Sequence, residues 1–511
     1  MTTLAPALAS SSLGGRGDLA PWASALIAFV VYAATLGGTY IYDDVEVIRN
    51  DPRVSHPSLW REYLTKQYLP GRIDKLYRPL VSLSFALEWQ LHGDRPWLFH
   101  LVNVLLHAGA SAAVAVLAIR AVGGRAGWIA GPLFAVHPVH VEAVAGLVGR
   151  AELACTLATL GGLCLFLRRP LTPGRVWAIG GCFLVALLSK EQGMLFPLIL
   201  LAAVPLRTTL DPPTSDNQLT KWLILLLCAL LAGYIQWRER VLGFNWDRHF
   251  LEWEFNPLVR SEGADRLLMP IVLLGHYTLL LIAPWKLSID YGAMVIGWHA
   301  RAADPCLYIG FIAILAWLLL AWLSLRRRHW ALLMCLLGLA VSYGLVSNLF
   351  TLIGTNMGER LMYMPSVFFV MILATGLLGV RRRTTIAITA LLVVLGAARA
   401  ATYADQWNDR LGFYLASASA QPKSIRTYAL LYTEYARLGR WRDARKVGGR
   451  AAAELPTCWE AHVMCVESDL HLSQFARAEE DADTGLRYCP HHLGLLILMD
   501  DASVHRVPGR Q

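Results

Sequence analysis

Apolar stretches of about twenty residues, the length of helix needed to cross a bilayer core of about 30 Å, recur along this chain from Pro21 to beyond Thr384. Runs such as ALIAFVVYAATLGGTYIY, LVNVLLHAGASAAVAVLAI and ITALLVVLGAARAA have to be buried, and in lipid a helix satisfies its own backbone. The chain therefore reads as an all-α polytopic membrane protein. Its composition agrees: 56% of the 511 residues are hydrophobic and 16% are charged. The balance of +9 is mostly arginine in short loops beside these segments. There it sets topology rather than marking a nucleic-acid surface.

Twelve segments begin near Pro21, Pro96, Gly127, Val144, Val176, Met194, Trp222, Leu267, Cys306, Ala331, Met362 and Thr384. With residues 1–20 as a cytoplasmic leader, the basic pairs and clusters at Arg120/Arg125, Arg168/Arg169/Arg175 and Arg207/Lys221 fall inside, as the positive-inside rule asks. The triplets Arg326–Arg328 and Arg381–Arg383 fall inside only if one segment between Trp222 and Asp304 fails to cross. The segment LLMPIVLLGHYTLLLIAP, holding Pro270, Gly275 and His276, is the expected exception, re-entrant or lying at the outer interface. That leaves about eleven spans over residues 21–403 and an extracytoplasmic tail over 404–511. The first outside loop, 41–95, contains SLWREYLTKQYLP, whose Trp60, Tyr63 and Tyr68 suit a helix lying at the headgroups.

From Trp407 the hydropathy falls and a repeat emerges. Pro422, Pro456 and Pro490 are spaced by 34, as are Trp407, Trp441 and Phe475, Ala444 and Ala478, and Leu431 and Cys465. Small residues where two helices cross, an aromatic opening the second helix and proline after it, at this period, form the tetratricopeptide pattern. With so few repeats the array is expected to lean on the membrane domain. The nine cysteines give no disulfide framework: six sit in apolar runs, and Cys458, Cys465 and Cys489 read as scattered thiols.

Four polar clusters gather at the outer face. Asp43 and Asp44 follow the first span, where paired carboxylates suit a general base, a cation site or a plain helix stop. Arg78 lies in KLYRPLVSLSF. His137, His140 and Glu142 share a turn after Pro138 breaks a segment, with Arg150 and Glu152 at helical spacing behind them. A His-x-x-His with Glu has metal-ligand character, but no further ligand is evident, and a hydrogen-bonded turn is the blander reading. Lys190, Glu191 and Gln192 interrupt two apolar segments, at a cost that makes such charges rarely decorative. Glu359 and Arg360 open another segment from outside, and an arginine at that depth suits a lipid phosphate.

In order, YDD…IRNDPRV, YRPLVSLSF, HPVHVEAVAGLVGRAEL, LSKEQG and ERLMYMPSV, followed by the repeats, resemble the transmembrane and tetratricopeptide-repeat (TMTC) O-mannosyltransferases and their prokaryotic relatives. The resemblance runs from about Thr39 to Pro490. It departs at EFNPL, where Phe255-Asn256-Pro257 replaces Asp-Asn-Pro, and in the shortness of the array. The resemblance implies a GT-C-type bundle of about eleven transmembrane helices followed by a short tetratricopeptide array. The arginine- and alanine-rich composition points to a bacterial plasma (inner) membrane, with the array expected in the periplasm. The implied reaction is inverting transfer of a sugar, expected to be mannose, from a polyprenyl-phosphate donor to a hydroxyl, expected to be protein Ser or Thr. Asp43 or Asp44 would be the base. Arg360, then Arg78 and Lys190, would meet the leaving phosphate, with Glu191, His137, His140, Glu142, Arg150 and Glu359 lining the substrate site. The repeats would hold the acceptor polypeptide. No cofactor is required; a divalent cation is compatible with the sequence but not demanded by it. A membrane scaffold built on the repeats and a transporter are the alternatives. Neither explains four polar clusters at one face, and no paired halves are visible for a transporter.

Overall fold

A computed structural model describes residues 19–69, 75–210, 217–243, 256–292, 295–490 and 492–506; the leader thus lies almost wholly outside the described residues. Among them the regular structure is helical, without strands. The helices are α1 (Ala20–Tyr32), α2 (Pro79–His92), α3 (Pro96–Ala121), α4 (Gly124–Ala135), α5 (Arg150–Leu167), α6 (Pro173–Ser189), α7 (Phe196–Leu210), α8 (Asn217–Leu242), α9 (Asp265–Ile282) and α10 (Pro305–Arg327). They continue as α11 (Trp330–Gly344), α12 (Tyr363–Leu377), α13 (Arg382–Gln406), α14 (Arg410–Ala420), α15 (Ile425–Arg437), α16 (Trp441–Glu454), α17 (Trp459–His471), α18 (Phe475–Tyr488) and α19 (Leu493–Arg506).

Nine segments of the described chain are long and apolar enough to cross a membrane, and α6 and α11 are two shorter apolar helices. The protein is an integral membrane protein. The segment expected not to cross is itself one of the nine. The segment expected to be interrupted at Pro270, Gly275 and His276 is the unbroken helix α9. Pro270 lies in its second turn, where the missing N–H removes one hydrogen bond without ending the helix. Gly275 and Gly310 serve a close antiparallel crossing with α10. A Cβ on Gly275 would collide with the Cys306 carbonyl, and one on Gly310 with the Ile271 carbonyl. The shortest apolar helix is α4, whose 12 residues rise only about 18 Å. It stops where His137 and Pro138 begin the polar turn.

The amphipathic helix expected at the headgroups is not observed. In that stretch only Glu62–Thr65 is α-helical, and Tyr63 and Tyr68 are buried. The Arg53 guanidinium lies 4.9 Å over the Tyr63 ring and that of Arg78 lies 5.4 Å over Tyr68. A ring suited to an interface is equally able to pack beneath a cation inside the protein. Pro70 of the same stretch lies outside the described residues.

The 34-residue repeat is visible as antiparallel hairpins. Helices open at Ile425, Trp459 and Leu493, and their partners open at Trp441 and Phe475. Ala444 and Ala478 are fully buried, and the paired positions Leu431 and Cys465 are buried. One core runs from the membrane helices through Trp407, Phe413 and Tyr428 to Ala444 and Met464, so the array is packed onto the bundle. All nine cysteines are free.

Candidate functional site

The acidic pair owes its placement to how the chain leaves α1. A 3-10 turn, Ala33–Gly37, slows the exit, and Tyr42 then takes φ 61, the left-handed region. The next two residues are helical, and their side chains diverge by about 100°. Asp44 turns inward and is 2% exposed. Its Oδ1 accepts from the Val148 backbone N–H at 2.9 Å and its Oδ2 from that of Ile41 at 3.3 Å. Burial pushes this carboxyl up to about 7, against the lowering effect of those amides. Asp43 faces Arg360, with Oδ2 3.5 Å from Nη1.

Arg360 joins a second carboxylate. Its Nε lies 3.4 Å from Glu142 Oε1, and its backbone N–H donates to Glu142 Oε2 at 2.8 Å. Glu142 is itself held above the usual carboxylate range by burial. These groups line a small open cleft that also includes Tyr42, Ile289 and Trp407.

Beside the cleft the expected cations each have an acidic partner. Arg78 donates through Nε and Nη2 to Glu191 Oε2 at 3.1 and 2.9 Å, and the Tyr77 N–H donates to Glu191 Oε1 at 3.3 Å. Lys190 pairs with Glu152. Buried Tyr68 lies within electrostatic range of Arg78, Asp43, Asp44 and Arg360. The clusters from four distant parts of the sequence thus lie within electrostatic range of one another as one polar chamber, and Arg360 has the most exposed side chain of the three candidate phosphate ligands, at 30%.

Other expected residues lie apart from this chamber. Arg150 pairs with Glu88 and donates to Asn103 Oδ1 at 3.0 Å and Ser84 Oγ at 2.9 Å, knitting α5 to α2 and α3. His140 Nε2 meets Ser366 Oγ at 2.8 Å, while His137 accepts from the Val139 N–H through Nδ1 and meets the Leu281 carbonyl through Nε2. Burial lowers both imidazoles, His137 to about 4, so they act as neutral hydrogen-bonding groups that fix the turn. Glu359 is fully buried. Its Oε1 accepts from the Ser288 N–H at 2.5 Å and the Tyr291 hydroxyl at 2.9 Å, fastening the loop that carries Ile289 over the cleft. Asn256 is likewise a structural pin, donating to Asn348 Oδ1 and the Ile353 carbonyl; Phe255 lies outside the described residues. Among the described residues the three-donor cluster is His276, Asp304 and Cys306, not the His137 turn. Asp304 there caps α10 by accepting from the Cys306 N–H.

Three contributors have weak sequence signals. Glu152 follows Arg150 by two positions and, unlike it, reaches the chamber. Tyr68 has the look of an interfacial aromatic. Trp407 belongs to the repeat register, yet its ring lines the cleft beside Gly146; only the tertiary fold brings it there.

No family model matches the chain. A protein O-mannosyl-transferase of Caenorhabditis elegans is 26% identical over 443 residues, covering 82% of this chain and 60% of its own length. The protein O-mannosyl-transferase TMTC4 of Homo sapiens is 28% identical over 464 residues, covering 79% of this chain and 62% of its own. Tmtc2 of Drosophila melanogaster, also a protein O-mannosyl-transferase, is 31% identical over 312 residues, covering 57% of this chain and 33% of its own. The chain thus spans about three fifths of the length of the first two relatives. Among solved structures, that of ArnT from Cupriavidus metallidurans bound to undecaprenyl phosphate is 18% identical, covers 81% of this chain and 80% of its own, and superposes with a TM-score of 0.39.

Proposed function

We propose, from a relationship to protein O-mannosyl-transferases that extends over most of the chain, that this membrane protein is an inverting glycosyltransferase. It would move a sugar, mannose in this reading, from a polyprenyl-phosphate donor to a Ser or Thr hydroxyl of a polypeptide outside the plasma membrane. The observation that carries the reading is the meeting of Asp43 and Arg360 in one open cleft. Such a pairing puts a proton acceptor and a cation at one reacting centre.

The acceptor hydroxyl attacks the anomeric carbon from the side opposite the phosphate. Asp43 takes the hydroxyl proton as the new glycosidic bond forms, and the bond from the anomeric carbon to the phosphate oxygen breaks. The products are an inverted glycoside and polyprenyl phosphate. Asp43 suits the base better than Asp44, whose two oxygens each accept a backbone N–H; Asp44 holds the loop. Arg360 meets the phosphate, whose growing charge a fixed cation stabilises. Glu142 orients Arg360 through its backbone and side chain. Arg78 and Lys190 extend the positive lining, with Glu191 and Glu152 holding them in place.

The test is reconstitution of the purified chain in liposomes with polyprenyl-phosphate mannose or glucose and a Ser/Thr-rich polypeptide. Mass spectrometry should find added hexose with the mannose donor. Equal labelling by wild type and Asp43→Asn would sink the mechanism, and labelling with neither donor would remove the assignment of this reaction.

A further inference from the structure

Tyr42 is a large residue in left-handed backbone, where a bulky side chain is an outlier. Such a conformation persists only when the surroundings over-determine it. Here the surroundings belong to the repeat array. The Tyr42 N–H donates to the Tyr414 hydroxyl of α14 at 3.1 Å. The Arg426 guanidinium of α15 sits 4.6 Å over the Tyr42 ring. Two residues earlier, Arg410 donates through Nε and Nη2 to the Tyr40 carbonyl at 3.1 and 2.9 Å. The loop across the cleft is tied to the start of α15: Asp290 accepts from the Ser424 hydroxyl at 2.7 Å and pairs with Arg426 at 3.8 Å. The first helices of the array therefore grip both walls of the cleft, and Trp407 forms part of its lining.

We propose that Tyr414 and Arg426 are positioning residues: they hold Tyr42 in its left-handed conformation and thereby aim Asp43 into the cleft. The array is then part of the reaction centre as well as a surface for an acceptor. The inference rests on the reading of the acidic pair given above. Releasing Tyr42 to ordinary right-handed or extended backbone would rotate the Asp43 side chain away from Arg360, leaving the cations in place.

The full-length chain is assayed with polyprenyl-phosphate mannose, as Tyr414→Phe and Arg426→Met, each in the native and in the Tyr42→Gly background. In the native background each should lower kcat about tenfold, a strained residue's worth of population, with the donor KM changed less than about twofold. Glycine adopts positive φ without steric cost. In the Tyr42→Gly background the same changes should therefore cost less than about twofold further, a non-additivity that marks coupled sites. Equal losses in both backgrounds, or none in either, overturn the inference. Hydrogen exchange supplies a readout free of turnover: the peptide around Tyr42 should exchange faster in Tyr414→Phe, and unchanged exchange also overturns it. Retained transfer by Asp43→Asn removes the underlying reading. Loss in Asp43→Asn with normal Tyr414→Phe and Arg426→Met removes only the positioning role.

Discussion

Asp43 and Arg360 meet at 3.5 Å although nearly the whole membrane domain lies between them in sequence. The contact joins the exit of the first span to the entry of the segment that begins with Glu359, and it sets the first prediction. Asparagine keeps the size of aspartate but cannot take a proton at neutral pH. Asp43→Asn should slow transfer by about 10²–10⁴-fold while leaving donor-lipid binding nearly intact. Arg360→Ala should weaken both binding and turnover. Single-turnover transfer and lipid-binding measurements on the two variants check this asymmetry.

Asp44 should give a pH signature in stability. Its carboxyl is raised from its ordinary value to about 7, chiefly by burial. The folded state therefore holds a proton that the unfolded chain has already lost between about pH 4 and 7. Stability from that proton is full below the unfolded value and disappears as pH rises through the folded one. Asp44→Asn removes this dependence and one amide hydrogen bond. The melting temperature of the variant relative to wild type should thus climb from pH 4 to 8. A flat difference would mean that Asp44 does not titrate in this window.

The pair of Lys190 and Glu152, with side chains 7% and 5% exposed, separates support from substrate contact. Removing one partner of a buried pair costs about 3–5 kcal/mol, whereas an apolar replacement of both is often neutral. Lys190→Met and Glu152→Gln should each destabilise the protein, and Lys190→Met with Glu152→Leu should melt near wild type. If Lys190 meets the donor phosphate, the stable double variant still binds donor poorly. Normal donor binding would reduce the pair to a structural tie.

Enlarging Ala444 or Ala478 to phenylalanine overfills a helix crossing with no spare room and should cost about 1–3 kcal/mol. Limited proteolysis should then remove the tail while the membrane part survives. Resistance equal to the parent in both variants would count against the hairpin register.

Topology follows from the site. The array touches Tyr40, Tyr42 and Asp290 at the acidic end of the bundle. We propose that this end faces out. A reporter active only outside, fused after Gly439, should be active, and one fused at Arg327 silent. The reverse result would invert the orientation.

Much of the site is legible in the sequence because charge inside an apolar chain is conspicuous: Asp43, Lys190, Glu191 and Arg360 stand out wherever the fold takes them. Their partners are not. Arg150 and Glu152 look alike in a motif, yet one turns to Glu88 and the other to Lys190, a choice made by helix packing. The repeat was readable because several residue classes kept one period. The continuity of α9 is not legible, because proline and glycine signal a break only on average; here Gly275 serves a close approach of backbones. Nor is the burial of Tyr68, since an aromatic suited to a lipid boundary is equally suited to lie beneath a guanidinium.

Helix α13 runs unbroken from Arg382 to Gln406, with α14 opening at Arg410. The apolar rod and the foot of the array are one piece, so their relative orientation is fixed by helical phase rather than by a linker. One residue inserted near Thr402 would turn everything beyond it by about 100° and raise it by about 1.5 Å. Tyr414 and Arg426 would swing off the cleft with no chemical group removed from either side. An insertion of four residues would nearly restore the azimuth but lift the array by about 6 Å. The connection between membrane and repeats thus behaves as a keyed shaft, intolerant of any change in its count.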